Sequence, residues 1–256
     1  MSKIIDLNCD MGESFGAWEM GNDAALMDYV SSVNIACGFH AGDASVIKKT
    51  VETAIKKGVS VGAHPSFPDL QGFGRREMKL SAEEIFDIVL YQISAVKGIC
   101  EAMGIKLHHV KPHGALYNQA AKNEKIANAI AKSVKSLDKN LILYGLSGSR
   151  LISEAEKIGL NTASEVFADR TYTKDGSLTP RSESNALIQD TEQAVSQVLK
   201  MIKDQTVTAT SGETVAIKAD TICIHGDGEN ALEFAKTIRE NLLKKSIEVS
   251  AIRHFF

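Results

Sequence analysis

The chain has 256 residues, 44% hydrophobic and 24% charged, with only four prolines. That length buries a substantial core and fits one large α/β domain or two small ones, and the composition is neither that of a disordered chain nor that of a disulfide scaffold. A net charge of −3 without a long Lys/Arg run argues against a nucleic-acid or anionic-membrane surface, which leaves small molecules or other proteins as expected partners.

At the N-terminus Ile4 and Ile5 begin a strand pattern that meets Asn8 and Asp10 too soon for the apolar core of an export signal. No apolar run approaches the ~18 residues of a membrane span, so a cytoplasmic protein is expected. Cys9, Cys37, Cys100 and Cys223 are scattered without a C-x-x-C pair and read as small core residues.

Short β-rich runs then alternate with helical patterns along the chain, without a linker-like interruption, so residues 1–256 read as a single domain. The strands are expected at Ile4 to Cys9, Ser32 to Cys37, Val59 to Ala63, Lys106 to Lys111, Leu141 to Gly145, Asn161 to Phe167, Thr221 to Ile224 and Glu248 to Ile252. The first clear helix opens at Asp43, buries Ile47, Val51, Ala54 and Ile55, and closes at Gly58. The next starts with a capping box, Ser81 and Glu84, and turns Ile85, Ile88, Val89, Val96 and Met103 to the core. Later helices place Ile126, Ile130 and Val134, then Val195, Val198 and Ile202, then Leu232, Ala235 and Ile238 on their core faces. Between Thr206 and Ala219 two β-prone runs meet around Ser211-Gly212, as in a surface hairpin. The strand–helix rhythm predicts an α/β fold, a distorted (β/α) barrel of about seven to eight parallel strands. An open doubly wound sheet is the alternative, because periodicity alone does not close a barrel.

Polar residues gather immediately after these strands, the end where active sites form in both architectures. They are Asp10 and Glu13 after the first, His40 and Asp43 after the second, and His64 after the third. Lys111 and His113 follow the fourth, Glu165, Asp169 and Arg170 the sixth, and His225 with Asp227 the seventh. A barrel would point Asp10, His40, His64 and His113 toward one centre, and these are the expected catalytic groups. An Asp with two or three histidines suits either metal-free acid–base work or a divalent metal, for which Asp10, His64 and His113 are the candidate ligands. Glu13, Asp43, Lys111, Glu165, Asp169, Arg170 and His225 are expected to bind substrate. Lys111, Arg75, Arg76, Arg170 and Arg181 are the groups suited to a carboxylate or phosphate. Neither a G-x-x-x-x-G-K-[ST] phosphate loop, nor a G-x-G-x-x-G fingerprint after a strand, nor a G-x-S-x-G elbow occurs in the chain.

Longer motifs carry a resemblance. Asp6-Leu7-Asn8-Cys9-Asp10-Met11-Gly12-Glu13, Asn34-Ile35-Ala36-Cys37-Gly38-Phe39-His40-Ala41-Gly42-Asp43 and Gly62-Ala63-His64-Pro65-Ser66 are followed by Asp69-Leu70-Gln71-Gly72-Phe73-Gly74-Arg75-Arg76. Val110-Lys111-Pro112-His113-Gly114-Ala115-Leu116-Tyr117, Glu165-Val166-Phe167-Ala168-Asp169-Arg170 and Ile224-His225-Gly226-Asp227 extend the pattern over nearly the whole chain. The sequence resembles the LamB/YcsF family, associated with the A subunit of a bacterial 5-oxoprolinase. The resemblance implies a barrel similar to the glycoside hydrolase/deacetylase superfamily. It also implies ATP-dependent opening of the lactam of 5-oxo-L-proline to L-glutamate, with 5-oxoprolinase subunits B and C as partners and ATP bound with or by them. On that expectation Asp10 and His113 handle the water, directly or through a metal shared with His64. His40 serves as acid to the ring nitrogen, and Lys111 or Arg170 holds the substrate anion. A metal-dependent carbohydrate deacetylase, or a non-catalytic member of the same complex, are the alternatives.

Overall fold

Along β1 (Lys3–Met11), the first strand of the computed structural model, buried Ile5, Leu7, Cys9 and Met11 alternate with the polar Asp6, Asn8 and Asp10. A strand has a side-chain period of two, so the apolar set packs outward against helices and the polar set points across the sheet. The structure describes residues 3–224 and 231–253.

Chain order continues with α1 (Asp23–Leu26), β2 (Ser32–Ala36), α2 (Ala44–Lys57), β3 (Ser60–His64), α3 (Ala82–Ala102), β4 (His109–Val110), α4 (Gly114–Lys122) and α5 (Glu124–Leu137). It ends with β5 (Ile142–Leu146), α6 (Arg150–Lys157), β6 (Asn161–Phe167), α7 (Thr191–Asp204), β7 (Thr206–Thr208), β8 (Thr214–Ala216), β9 (Thr221–Ile224), α8 (Ala231–Lys244) and β10 (Ile247–Val249). The parallel order β1-β2-β3-β4-β5-β6-β9 closes because β9 also pairs with β1, from Asp6 opposite Thr221 to Cys9 opposite Ile224. This closure makes a seven-stranded barrel and removes the open-sheet alternative. β10 extends the sheet outside the closed ring, pairing with Lys3 to Ile5 of β1. The expected hairpin is β7 with β8, antiparallel, Thr206 opposite Ala216.

The caps lie where side-chain chemistry demands them. Asp43 accepts the amides of Ser45 and Val46 at the start of α2, and Gly58 ends that helix with φ +67°. Ser81 and Glu84 form the reciprocal capping box of α3. Its buried stripe is Ile85, Val89, Gln92, Ile93, Val96 and Cys100. Two expected core positions lie outside. Ile55 is 39% exposed because its neighbour Ala54 takes the buried direction, and Leu232 is 37% exposed at the rim of a stripe formed by Phe234, Ala235, Ile238 and Leu242. β4 is shorter than the expected Lys106 to Lys111, although His108 and Lys111 still donate their amides to Val61 and Ala63 of β3. All four cysteines are buried and free. No described helix is long and apolar enough to cross a membrane.

The barrel interior is polar. Asp6 accepts hydroxyl bonds from Ser31, Ser32, Tyr144 and Thr221, and burial pushes its carboxyl above the usual range despite them. One level up, Asn8 donates to Glu165 (3.0 Å) and Thr221 (2.7 Å), and Asn34 donates to Asn8 and Asp10, both at 2.8 Å. This column of side chains ends at the C-terminal mouth of the strands.

Candidate active site

Lys111 stands at the top of the column. Its ammonium is enclosed by Asp10 Oδ1 (3.0 Å), Glu165 Oε1 (2.9 Å), Asn8 Oδ1 (3.3 Å) and Cys223 Sγ (3.1 Å). Burial opposes the charge, but Asp10, Cys223 and Glu165 outweigh it and hold the Lys111 pKa well above that of an ordinary lysine. Glu165 is fully buried, with Oε2 taking the Tyr117 hydroxyl at 2.7 Å. Lys111 therefore acts as counter-ion to two carboxylates, its donors spent inside the protein, and Glu165 lies beneath the site instead of facing substrate.

Above this layer the expected histidines converge. His64 Nδ1 lies 2.7 Å from the Lys111 carbonyl and His113 Nε2 lies 2.9 Å from the Phe73 carbonyl. A carbonyl only accepts, so both of these ring nitrogens carry hydrogen. The other two, His64 Nε2 and His113 Nδ1, face each other at 2.9 Å. Asp10 Oδ2 is 3.3 Å from His64 Nε2, Glu13 Oε1 is 3.2 Å from His40 Nε2 and 3.7 Å from His113 Nδ1. His40 stacks on His113 with ring centres 3.8 Å apart and planes 4° from parallel. Burial, then the neighbouring imidazoles, push both His40 and His113 well below the ordinary histidine range, so both are neutral near pH 7.

Phe73 belongs to a loop shaped for this task. Its φ is +53°, uncommon outside glycine, and its ring meets His40 and His113 edge-on at 5.5 and 5.3 Å. Asp69 ties the loop, accepting from the Gly72 amide (2.9 Å) and from the Arg76 Nε (2.9 Å). Gln92 of α3 fastens the loop after β3, accepting from Ser66 N (2.9 Å) and donating to Ser66 O (2.8 Å).

A cleft of about 1300 Å³ opens over the mouth, floored by Asp10, Glu13, His64, Lys111 and His113. Arg75, Arg170 and Arg181 lie on its wall. His40 is 1% exposed, behind His113, and does not line the cleft; an acid role on substrate does not fit its place or its neutral state. Two N–H groups of Arg170 are committed to the carbonyls of Ala186 and Thr179, which anchors the excursion between β6 and α7. Asp43 spends both oxygens on backbone amides, including Gly16 N at 2.8 Å, and is outside the cleft, as is the half-buried Asp169. Arg76 pairs with Asp69. His225, Gly226 and Asp227 lie outside the described residues.

Glu13, His40, His64 and His113 offer ligand atoms that all lie within 4.8 Å of one another. The facing lone pairs of His64 and His113 are repulsive unless a proton or a cation lies between them, and three imidazoles with a carboxylate are a donor set for a divalent transition metal. The residues fit such an ion. Of the ligands expected from sequence, His64 and His113 belong to this group and are joined by Glu13 and His40, whereas Asp10 is not in it, its Oδ2 lying 3.3 Å from His64 Nε2.

The profile of the LamB/YcsF family matches residues 5–256. The chain belongs to the LamB/YcsF family. Relatives in this family include the 5-oxoprolinase A subunit of Tolumonas auensis, 58% identical over 97% of this chain and 99% of that protein. The protein of the same name from Bacillus subtilis is 57% identical over 97% and 96%. A crystal structure of a "Lactam Utilization Protein" from Thermus thermophilus superposes with a TM-score of 0.93, 47% identity, and coverage of 97% and 100%. A putative cellobiose-phosphate cleavage protein from Enterococcus faecalis shares the fold alone, with a TM-score of 0.57 at 14% identity over 98% and 97%.

Sequence reasoning missed Asn34, Phe73 and Gln92 as parts of this LamB/YcsF site. Gln92 carried a signal, a polar residue inside the apolar stripe of α3. Phe73 acts through its backbone carbonyl, which side-chain identity does not reveal.

Proposed function

We propose that this chain is the A subunit of an ATP-dependent 5-oxoprolinase, working in the cytoplasm with subunits B and C, and that it carries out the opening of 5-oxo-L-proline to L-glutamate. The observation that carries the reading is the Asp10 carboxylate at the cleft floor. Its Oδ1 is held by Asn34 and Lys111, and its Oδ2 is turned to His64 beside the cleft. The names of the relatives supply the substrate class.

In this reading Asp10 is the general base. Its partner Lys111 keeps positive charge beside it and so favours the ionised form. The lactam carbonyl carbon is attacked by water, whose proton passes to Asp10 as the new C–O bond forms. Cleavage of the C–N bond follows, and the same carboxyl group returns the proton to the ring nitrogen. With the lactam oxygen carrying the phosphoryl group transferred from ATP, ADP having left, this gives an acyl phosphate that a second water hydrolyses to glutamate and inorganic phosphate. Arg75 and Arg181, on the cleft wall, are the guanidinium groups suited to the substrate carboxylate. His64 and His113, fixed by the carbonyls of Lys111 and Phe73, shape the floor on which the ring lies. Glu13, His40, His64 and His113 would hold a divalent cation, which would supply positive charge to polarise a carbonyl or a water.

An unstrained five-membered lactam resists hydrolysis at neutral pH, so activation of its carbonyl by ATP is required. A nucleotide site on the partner proteins agrees with a chain that has no phosphate loop. The test is glutamate release by the reconstituted complex with Asp10→Asn and His113→Ala. Each is expected to lower turnover by about 10²- to 10⁴-fold; near wild-type turnover in both rejects the reading.

A further inference from the structure

Asp10 depends on a chain of bonds that runs down the barrel away from the cleft. Asn34 Nδ2 donates to Asp10 Oδ1. A carboxylate only accepts, so the amide nitrogen of Asn34 must face Asp10, and Asn34 Oδ1 must face the other way and needs a donor there. His109 Nε2 lies 2.7 Å from that oxygen. The opposite tautomer would leave two acceptors in contact and free the Asn34 amide to flip, turning its oxygen toward Asp10. We infer that His109 is a positioning residue for the reaction centre, fixing through its Nε2–H the amide of Asn34 that in turn holds Asp10.

The surroundings are built for this ring. His109 is fully buried and stacks on Tyr144 with centres 4.1 Å apart and planes 15° from parallel. β3 carries Gly62 opposite it, where a Cβ would come within 2.2 Å of His109 Nε2. At the far end His109 Nδ1 meets His108 Nδ1 at 2.9 Å, and His108 Nε2 reaches the Ile252 carbonyl at 2.8 Å. That carbonyl requires hydrogen on His108 Nε2. The chain is thus anchored to the backbone below and to Asp10 above. Asn34 and Lys111 together occupy Oδ1 of Asp10 and Oδ2 lies 3.3 Å from His64 Nε2, which is how a residue two bonds removed sets which carboxylate oxygen is turned to His64.

The test has a wild-type arm and a variant arm. In protein labelled with 15N-histidine, His109 Nε2 is expected to be protonated and protected from solvent exchange; a bare Nε2 overturns the inference. His109→Phe keeps the stack on Tyr144 and removes the donor. The resolved side-chain amide protons of Asn34 are expected to lose their distinct positions in it. Glutamate release by the complex is expected to fall about 10- to 100-fold in kcat with little change in KM. His109→Gln retains an N–H and is expected to recover part of the loss. Unchanged Asn34 signals with wild-type kcat in folded His109→Phe overturn the inference. If His109→Phe does not fold, the wild-type spectrum decides, together with Asn34→Asp. That variant keeps an acceptor for His109 but offers Asp10 no N–H, so kcat should fall similarly, and wild-type kcat in it overturns the inference. The kinetic arm rests on the proposed function and the spectroscopic arms do not, so a wild-type complex inactive on 5-oxoproline would sink that reading alone.

Discussion

His64 Nε2 and His113 Nδ1 point their lone pairs at each other across 2.9 Å, because the carbonyls of Lys111 and Phe73 have already claimed the hydrogens of both rings. A divalent cation relieves this opposition, with Glu13 and His40 within reach. Calorimetric titration with Zn²⁺ or Mn²⁺ is expected to show one ion per chain. At a hundredfold excess over Kd the ion should stabilise the fold by about 2.7 kcal/mol. His113→Ala should lose both effects; absence of binding in the wild type would leave a shared proton as the occupant.

Lys111→Met should be among the most destabilising single changes in the barrel. It strips the counter-ion from the fully buried Glu165 and from Asp10, and an uncompensated charge of that kind costs about 3–5 kcal/mol. The pH dependence follows from the raised pKa of Lys111. A lysine whose folded pKa exceeds its unfolded value of about 10.4 contributes fully below that pH and loses its contribution only as pH rises through the folded value. Denaturant midpoints for wild type and variant should therefore stay a constant distance apart from neutrality to about pH 10. A gap that closes below that pH would contradict the assignment.

Much of this was legible in the sequence, and the reasons differ by feature. β6 and β9 have the expected limits because Asn161 and Thr221 begin β-prone runs. The convergence of Asp10, His64 and His113 followed from their position after strands, since a closed parallel barrel directs all such ends to one mouth. The role of Asp43 was misplaced because a helix cap and a substrate ligand have the same residue type after a strand, and only its bonds to Ser45 and Val46 separate them. The polar interior was written in the alternation of Asp6, Asn8 and Asp10, but which groups meet across the barrel depends on strand register, which is not readable from one strand. Closure itself is a pairing between the first strand and the last of the ring, and no local pattern encodes it.

Gly74→Ala should damage the site without removing a polar group. Gly74 has φ +64°, where a side chain is strained, and its Cβ would fall 2.2 Å from Ser66 Oγ and 2.9 Å from His113 Cδ2. The backbone would have to move, taking with it the Phe73 carbonyl that orients His113. The expected result is a folded protein with impaired glutamate release in the complex and weaker cation binding. Wild-type values for both would show that the loop tolerates displacement.

The same loop should give the protein an acid-sensitive element. The Arg76 guanidinium, joined by the backbone amides of Gly72 and Arg76, draws the Asp69 carboxyl down to about 2 against the opposing effect of burial. An unfolded aspartate titrates near 3.9, so the folded state binds its proton later than the unfolded state does. The contribution of Asp69 is therefore complete above about pH 4–5, declines as pH falls toward 2, and is lost below the folded pKa. Asp69→Asn removes the charge while keeping the shape. Urea midpoints should separate wild type from variant at pH 6, converge through pH 4 and 3, and coincide only below about pH 2. A separation that persists unchanged at low pH would mean that Asp69 stabilises the loop through its neutral hydrogen bonds. The ionic tie to Arg76 would then not be what holds Phe73 against His113.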